Sequence, residues 1–506
     1  MAYAQQLKNK DIPEGGSKAV VLVDTVNVQH KSRDFAKRKA VKGFVDGLLD
    51  LIVETPETKE KVVDHWGKPE YLYLGPDEQI IPDDIVWIVR QAAQRSHVNP
   101  ATFMSSKPDA GINHKVYGVT SEGIAVFLAV GLKRLGLNPA KDEFTIKLTG
   151  GTDGDVAGNM IKILARDYGS RARVVGLADG TGVVEDPSGL DMKELMRLVD
   201  GSLPLGQFDP KTLSSSGQFH SVDTEEGIRL RNTMHNRVVA DAFIPAGGRP
   251  NTIDGTNYSQ FLRADKTPSS KLIVEGANIF ITPEARKKLF EEAGVLIIKD
   301  SSANKCGVIC SSFEIISSML LTQSQFKENK EAIVSEVLEK LRNLARLEAE
   351  LLFREFSNYP GALPYFSERI SNAINLGRDA ITLGLENMTE EQYNELIPLF
   401  KAHLPEIVVR LGFDHVRERV PLQYIKNAFA SCLASRIVYR EGTHFIESQP
   451  REKLADLCLR YLQEEKEVHH LLDKLESGNL SKEDMETLKE ILDVGGTRSL
   501  LFSPIK

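Results

Sequence analysis

The sequence is poor in cysteine, has no long apolar run and carries a deficit of positive charge. Only Cys306, Cys310, Cys432 and Cys458 occur in 506 residues. So few cysteines exclude a disulfide scaffold and favour free thiols in a reducing compartment. Cys306 and Cys310 have no second pair at zinc-ligand spacing, so they are expected as small core residues and no metal site is expected. The longest clean apolar stretch, 124–132, is too short to cross ~30 Å of bilayer, and the first residues do not read as a secretory signal. Lys and Arg number 63 against 71 Asp and Glu, a net charge of −8. With no basic stripe, neither nucleic acid nor a membrane surface is an expected partner. Internal repeats and low-complexity tracts are also missing. What is present is ordinary globular usage, 41% hydrophobic and 26% charged residues, which excludes a disordered or collagen-like chain. At roughly 150 residues per domain the length suggests about three domains.

The texture changes along the chain. Residues 1–123 mix short β-prone runs with helical spacing. Ala19-Val20-Val21-Leu22-Val23 after a Gly-Gly turn reads as a buried strand, 33–53 as a helix and Tyr71-Leu72-Tyr73-Leu74 as a second strand; Pro82-Asp83-Asp84 opens a further helix. Residues 124–310 open on a helix, and strand, glycine turn, helix and strand then follow within ~30 residues, the βαβ unit of a doubly wound α/β domain. Later strands are expected at 242–244, 272–274 and 295–298. Residues 311–506 are almost all helix, with amphipathic segments at 331–354, 364–385, 390–411, 422–438 and 452–475.

Four constellations carry chemistry. In the first, Lys8 and Lys10 precede Gly15-Gly16-Ser17-Lys18. The glycines permit close backbone approach. A lysine in a partly dry site beside another cation has a lowered pKa and acts as a base, while Lys8 or Lys10 supplies that cation or grips a substrate carboxylate. A surface lysine after an ordinary turn has the same spacing. The second is Asp83-Asp84, read either as first-turn acids of a helix or as a proton-carrying carboxylate. The third is Thr149-Gly150-Gly151-Thr152-Asp153-Gly154-Asp155-Val156, with Asp179 after the next strand. Such a turn sets a pyrophosphate on backbone N–H groups at a helix start. An acid at the offset of Asp179 bonds a ribose 2′-OH and favours NAD over NADP; Asp179-Gly180 also reads as a turn. In the fourth, Asn278 and Asn304 follow strands of the same sheet, where ligands lie, and Ser311 is expected to begin a helix or cap one.

Taken in order, these segments resemble the glutamate dehydrogenase family, most closely its large NAD-dependent branch. Gly15-Gly16-Ser17-Lys18 is similar to the family's catalytic loop, with Lys8 at the preceding substrate lysine. Gly75-Pro76-Asp77 through Asp84-Ile85 is similar to the stretch with the catalytic aspartate. Asn113-His114-Lys115-Val116-Tyr117-Gly118-Val119-Thr120-Ser121 resembles the entry into the nucleotide domain. The segments around Asn278, at Asn304 to Glu314 and at Leu433-Ala434-Ser435-Arg436-Ile437-Val438-Tyr439 resemble later family motifs. The likeness implies a partial α/β substrate domain at 1–123, a Rossmann-like NAD-binding domain at 124–310, and a helical C-terminal region at 311–506 returning to the substrate domain. It implies reversible oxidative deamination of L-glutamate to 2-oxoglutarate and ammonia. In that scheme Lys18 and Asp84 are catalytic, and Lys8 and Ser311 bind substrate. Thr120, Gly151, Gly154, Asp155, Val156, Asp179, Asn278 and Asn304 bind NAD.

The resemblance further implies a homo-oligomer in the cytoplasm, or in the mitochondrial matrix for a eukaryotic chain cut short at its N-terminus. Ala19-Val20 after Lys18 is similar to leucine and phenylalanine dehydrogenases, so an apolar amino acid is a second candidate substrate. The family carries another substrate lysine upstream of Lys8. The chain is therefore expected to be a piece of a longer polypeptide or to start late, and an NAD-binding, non-catalytic subunit is the third reading.

Overall fold

The computed structural model describes residue 8 and residues 19–65, 67, 72–76, 79–476 and 480–502. Lys18 and its Gly-Gly turn lie outside the described residues.

Two helices, α1 (Arg33–Ile52) and α2 (Pro82–Gln94), form the first layer and share a small core of Val45, Leu49, Ile85 and Ile88 with Phe103. Helix α3 (Val119–Arg134) then leads into a seven-stranded sheet. Its strands are β1 (Phe144–Thr149), β2 (Ala172–Ala178), β3 (Gly182–Glu185), β4 (Gln218–Ser221), β5 (Ala242–Pro245), β6 (Leu272–Val274) and β7 (Leu296–Ile298), in spatial order β4-β3-β2-β1-β5-β6-β7. Five strands are parallel, and β3 and β4 extend one edge antiparallel. The parallel strands are aliphatic-rich because helices cover both faces. Those helices include α4 (Asp155–Asp167), α5 (Met192–Asp200), α6 (Glu225–Arg237) and α7 (Pro283–Ala293).

Helix α8 (Cys306–Leu320) leaves the sheet and packs on α3. The remainder is helical: α9 (Lys330–Asn358), α10 (Leu363–Gly384), α11 (Glu390–His403), α12 (Leu422–Glu441), α13 (Arg451–Glu476) and α14 (Lys482–Leu501). The stretch His114–Arg134 is longer than the apolar run 124–132 and is apolar enough by composition to cross a membrane. Here α3 is a core helix, wedged between α9 and the sheet, with Glu122 paired to Arg166 and Arg342. A Cβ on Gly131 would lie 2.7 Å from the Leu272 side chain, so that leucine packs directly on the helix backbone.

Several expectations fail for physical reasons. Residues 19–23 are not a buried strand: Val20 and Leu22 are 87% and 95% exposed, because no strand among the described residues lies beside them. The run at 71–74 contributes a single bridge, Leu74 to Met104. The helix expected over 390–411 breaks at Leu404-Pro405, since proline disfavours helical backbone in the residue before it. Strands β3 and β4 and helix α14 have no counterpart in the sequence reading.

Candidate active site

The carboxyl ends of β1, β5, β6 and β7 converge near the start of α3. β1 ends at Thr149, and α4 begins at Asp155 with Gly154 as its N-cap. Gly150 has φ +118°, and a Cβ there would lie 2.9 Å from the Gly247 nitrogen beyond β5, so only glycine fits. A Cβ on Gly158 would lie 2.5 Å from the Thr152 carbonyl oxygen. The turn is thus packed backbone against backbone, and the first-turn N–H groups of α4 have no intrahelical partner, an arrangement that suits an anion.

Asp155 stands at that helix start. Burial pushes its carboxyl above the ordinary range, while His114, Lys115 and the Asn159 amide at 3.2 Å pull it down. Asp179 follows β2 and lies beside the glycine turn, within 3.5 Å of where a Gly151 Cβ would stand. Its carboxylate accepts from the Thr181 backbone and hydroxyl (both 2.7 Å), from Gly182 N–H (3.0 Å) and from Leu205 N–H (2.8 Å). The Thr181 and Gly182 bonds close the β2–β3 turn, as the turn reading of Asp179-Gly180 expects, and the Leu205 bond ties that turn to a later loop.

Asn278 and Asn304, from the ends of β6 and β7, meet directly. The Asn304 amide donates to Asn278 Oδ1 at 2.9 Å and to the Gly276 carbonyl at 3.0 Å. Lys8 Nζ donates to the same Asn278 oxygen at 3.3 Å, across 270 residues of chain. Val156 joins the set through Gly276, where a Cβ would lie 3.1 Å from its side chain; Thr120 joins through Gly307, where a Cβ would lie 2.6 Å from its hydroxyl. Beneath the Asn278 loop, Arg286 is bidentate on buried Glu275 (2.9 and 3.1 Å) and Asp300 accepts from Ile279 N–H (2.8 Å).

Among the described residues, no hydrogen bond joins Ser311 or Asp84 to this set. Ser311 does not begin a helix. It lies in the second turn of α8, which starts at Cys306, and its hydroxyl donates to the Val308 carbonyl at 2.7 Å. Asp84, 5% exposed, pairs with Arg38 and accepts from Ile81 N–H at 3.1 Å, closing the start of α2.

Two buried groups escaped the sequence reading. Glu314 of α8, fully buried, accepts from the backbone N–H groups of Ser106 (3.0 Å), Lys107 (3.5 Å) and Ile112 (3.1 Å) and from Lys107 Nζ (2.7 Å). Lys305, next to Asn304, donates to Glu348 Oε2 at 2.6 Å, and Tyr439 donates to the same oxygen at 2.9 Å. The first signal was present as Phe313-Glu314 at the end of a motif; the second has no local signature. Cys306 and Cys310 are buried core residues, with burial pushing the Cys306 thiol up to about 12.

A profile of the Glutamate/Leucine/Phenylalanine/Valine dehydrogenase family matches residues 111–357. Glutamate dehydrogenase 2 of Dictyostelium discoideum is 36% identical over 469 residues, covering 87% of this chain and 43% of that protein. The NAD-specific glutamate dehydrogenase of Neurospora crassa is 35% identical over 476 residues, covering 88% and 43%. The chain therefore spans less than half the length of these curated relatives. Among solved structures, glutamate dehydrogenase 2 of Plasmodium falciparum superposes with a TM-score of 0.50 at 17% identity, over 73% of this chain and 71% of that one, a likeness of fold. With the glycine turn, the paired asparagines and the matched profile in hand, residues 111–357 are a domain of the glutamate/leucine/phenylalanine/valine dehydrogenase family.

Proposed function

We propose that this chain carries the catalytic machinery of an NAD-dependent glutamate dehydrogenase, converting L-glutamate reversibly to 2-oxoglutarate and ammonia. The observation that carries the reading is the hydrogen-bonded set Lys8–Asn278–Asn304 at the ends of β6 and β7, beside the glycine turn of β1. NAD fits the residues present. Asn304 Oδ1 is a buried acceptor with no donor, matching a carboxamide N–H, and the cradle of Gly150 to Gly154 excludes any Cβ at its closest point. Thr120, Gly151, Gly154, Asp155, Val156, Asp179, Asn278 and Asn304 would hold it. When bound, NAD supplies the hydride acceptor for the substrate Cα.

The chain's own residues do the rest. Lys8 holds the α-carboxylate, Ser311 helps with the side-chain carboxylate by giving up its bond to Val308, and Lys18 acts as base toward the water that attacks the imine. We assign Asp84 to structure rather than to proton transfer, because its contacts close the start of α2 and tie it to Arg38 of α1. Homo-oligomerisation belongs to the same proposal, supported by exposed Val20, Leu22, Phe35 and Leu51 in the first part of the chain.

The test is NADH oxidation with 2-oxoglutarate and ammonium. Saturable turnover, lost in Lys18→Ala, is the expected result. Turnover on an apolar 2-oxo acid with none on 2-oxoglutarate would move the assignment to an apolar amino acid, and NADH binding without turnover on any 2-oxo acid would make the chain a non-catalytic subunit.

A further inference from the structure

A cavity of about 250 Å³ opens between α8, α9, α11 and α12, outside every residue assigned above. One wall is apolar: Phe313, with the His403 ring stacked on it at 4.8 Å, together with Leu344 and Leu347. The same face of α9 brings Lys340, α12 brings Arg436, and among the described residues no carboxylate lines the cavity. Among the described residues, Lys340 Nζ donates to a carbonyl, that of Ala402 at 2.8 Å, with Glu336, Glu406 and Glu339 further off and outside the lining. Arg436 contacts Glu465 at 2.8 Å, and that nearly buried carboxylate also serves Arg440. Glu465 is thus shared by two guanidiniums, with Glu441 also acting on Arg440, beside a half-buried ammonium. Cations beside apolar surface are costly without an anion.

We propose that this cavity binds a small monocarboxylate with an apolar body, its charge between Lys340 and Arg436 and its body against Phe313, and that occupancy is felt at the cofactor residues. Two walls lead there. Phe313 lies between Ser311 and Glu314 on α8. Tyr439, which also lines the cavity, donates to Glu348, and Glu348 holds Lys305, the neighbour of Asn304. The binding site stands without the dehydrogenase reading; its coupling rests on the assignment of Asn304 to the cofactor.

Cys432 provides the test, because it lines the cavity and is half-buried whereas Cys306, Cys310 and Cys458 are buried. Its alkylation by iodoacetamide is followed by peptide mass spectrometry, with benzoate as the probe. Benzoate should slow the reaction saturably, about tenfold at ten times its Kd, and the protection should vanish in Lys340→Met and in Leu347→Trp, which fills the half-exposed mouth. Absent protection, equal protection by benzyl alcohol or by inorganic phosphate, or protection unchanged in both variants overturns the site. For coupling, benzoate should change the Kd for NADH by about threefold, a shift of roughly 0.6 kcal/mol, and Tyr439→Phe should abolish that change while keeping the protection. Protection with an unaltered NADH Kd overturns the coupling alone. Protection in a chain that binds no NADH overturns the dehydrogenase reading and leaves the site.

Discussion

Asn304 joins the ends of two strands with one amide, donating to the Gly276 carbonyl and to Asn278 while its own oxygen stays buried without a donor. Removing that amide leaves the Gly276 carbonyl without this partner and frees the loop that carries Asn278. A lost buried hydrogen bond costs about 1–3 kcal/mol. Asn304→Ala should therefore weaken NADH binding roughly tenfold, equivalent to about 1.4 kcal/mol, measured by fluorescence titration; unchanged affinity would remove Asn304 from the cofactor site. Asp84 calls for the opposite expectation. Asp84→Asn keeps an acceptor for the Ile81 N–H but unpairs Arg38, so stability should fall by about 2 kcal/mol in urea unfolding while the pH profile of kcat keeps its shape. Loss of a limb of that profile would restore a proton-carrying role.

Among the elements, the legible ones were those whose local pattern and tertiary environment agree. β6 was expected at 272–274 and is Leu272–Val274, because three aliphatic residues buried on both faces can only be strand between its neighbours. Ala19 to Val23 carries the same kind of pattern and yet lies exposed, since propensity does not say whether a partner strand is at hand. β3 and β4 are four residues each and are defined by pairing with each other and with β2, which no local pattern encodes. The glycine turn was readable because its φ and close approach demand glycine. Ser311 was misplaced because α8 starts at Cys306 without a side-chain cap, leaving the nearby serines as false helix starts. The junction of β1, α6 and β5 shows what local pattern hides: Lys147, fully buried on β1, donates to the His235 and Val238 carbonyls (2.7 and 2.6 Å) and to Ser269 Oγ (2.7 Å). His235 beside it stacks on Phe243 at 6.0 Å. Burial, then the Lys147 charge, lowers its pKa from 6.5 to about 4. Between those values the unfolded chain takes up a proton that the folded chain refuses. Stability from this group is complete above the unfolded pKa and is lost as pH falls toward the folded one, by on the order of 3 kcal/mol. His235→Gln should remove that slope when urea unfolding is measured across the window, and an identical slope in the variant would mean other groups set it.

For the whole molecule, the decisive contact is the one between the first layer and α8. Glu314 gathers three backbone N–H groups and the Lys107 ammonium from the segment 106–112, more than 200 residues earlier in the chain. Gly111 sits against it so closely that a Cβ would lie 2.5 Å from Glu314 Oε1. A buried carboxylate with this many donors is fully satisfied, and taking away its charge strands a lysine in the interior. Because α8 also carries Ser311 and follows Asn304, the clip fixes the helix on which the proposed substrate and cofactor residues meet. Glu314→Gln should cost about 3–5 kcal/mol, and Lys107→Met added to it should recover part of that loss by removing the unpaired ammonium. A double-mutant cycle by urea unfolding measures the coupling. Its functional counterpart is a rise in the KM for 2-oxoglutarate larger than any change in NADH affinity, since the clip holds the substrate side to a sheet that keeps its own glycine turn. A cycle with no coupling energy, or NADH affinity falling as far as substrate affinity, would mean that the two layers are joined elsewhere.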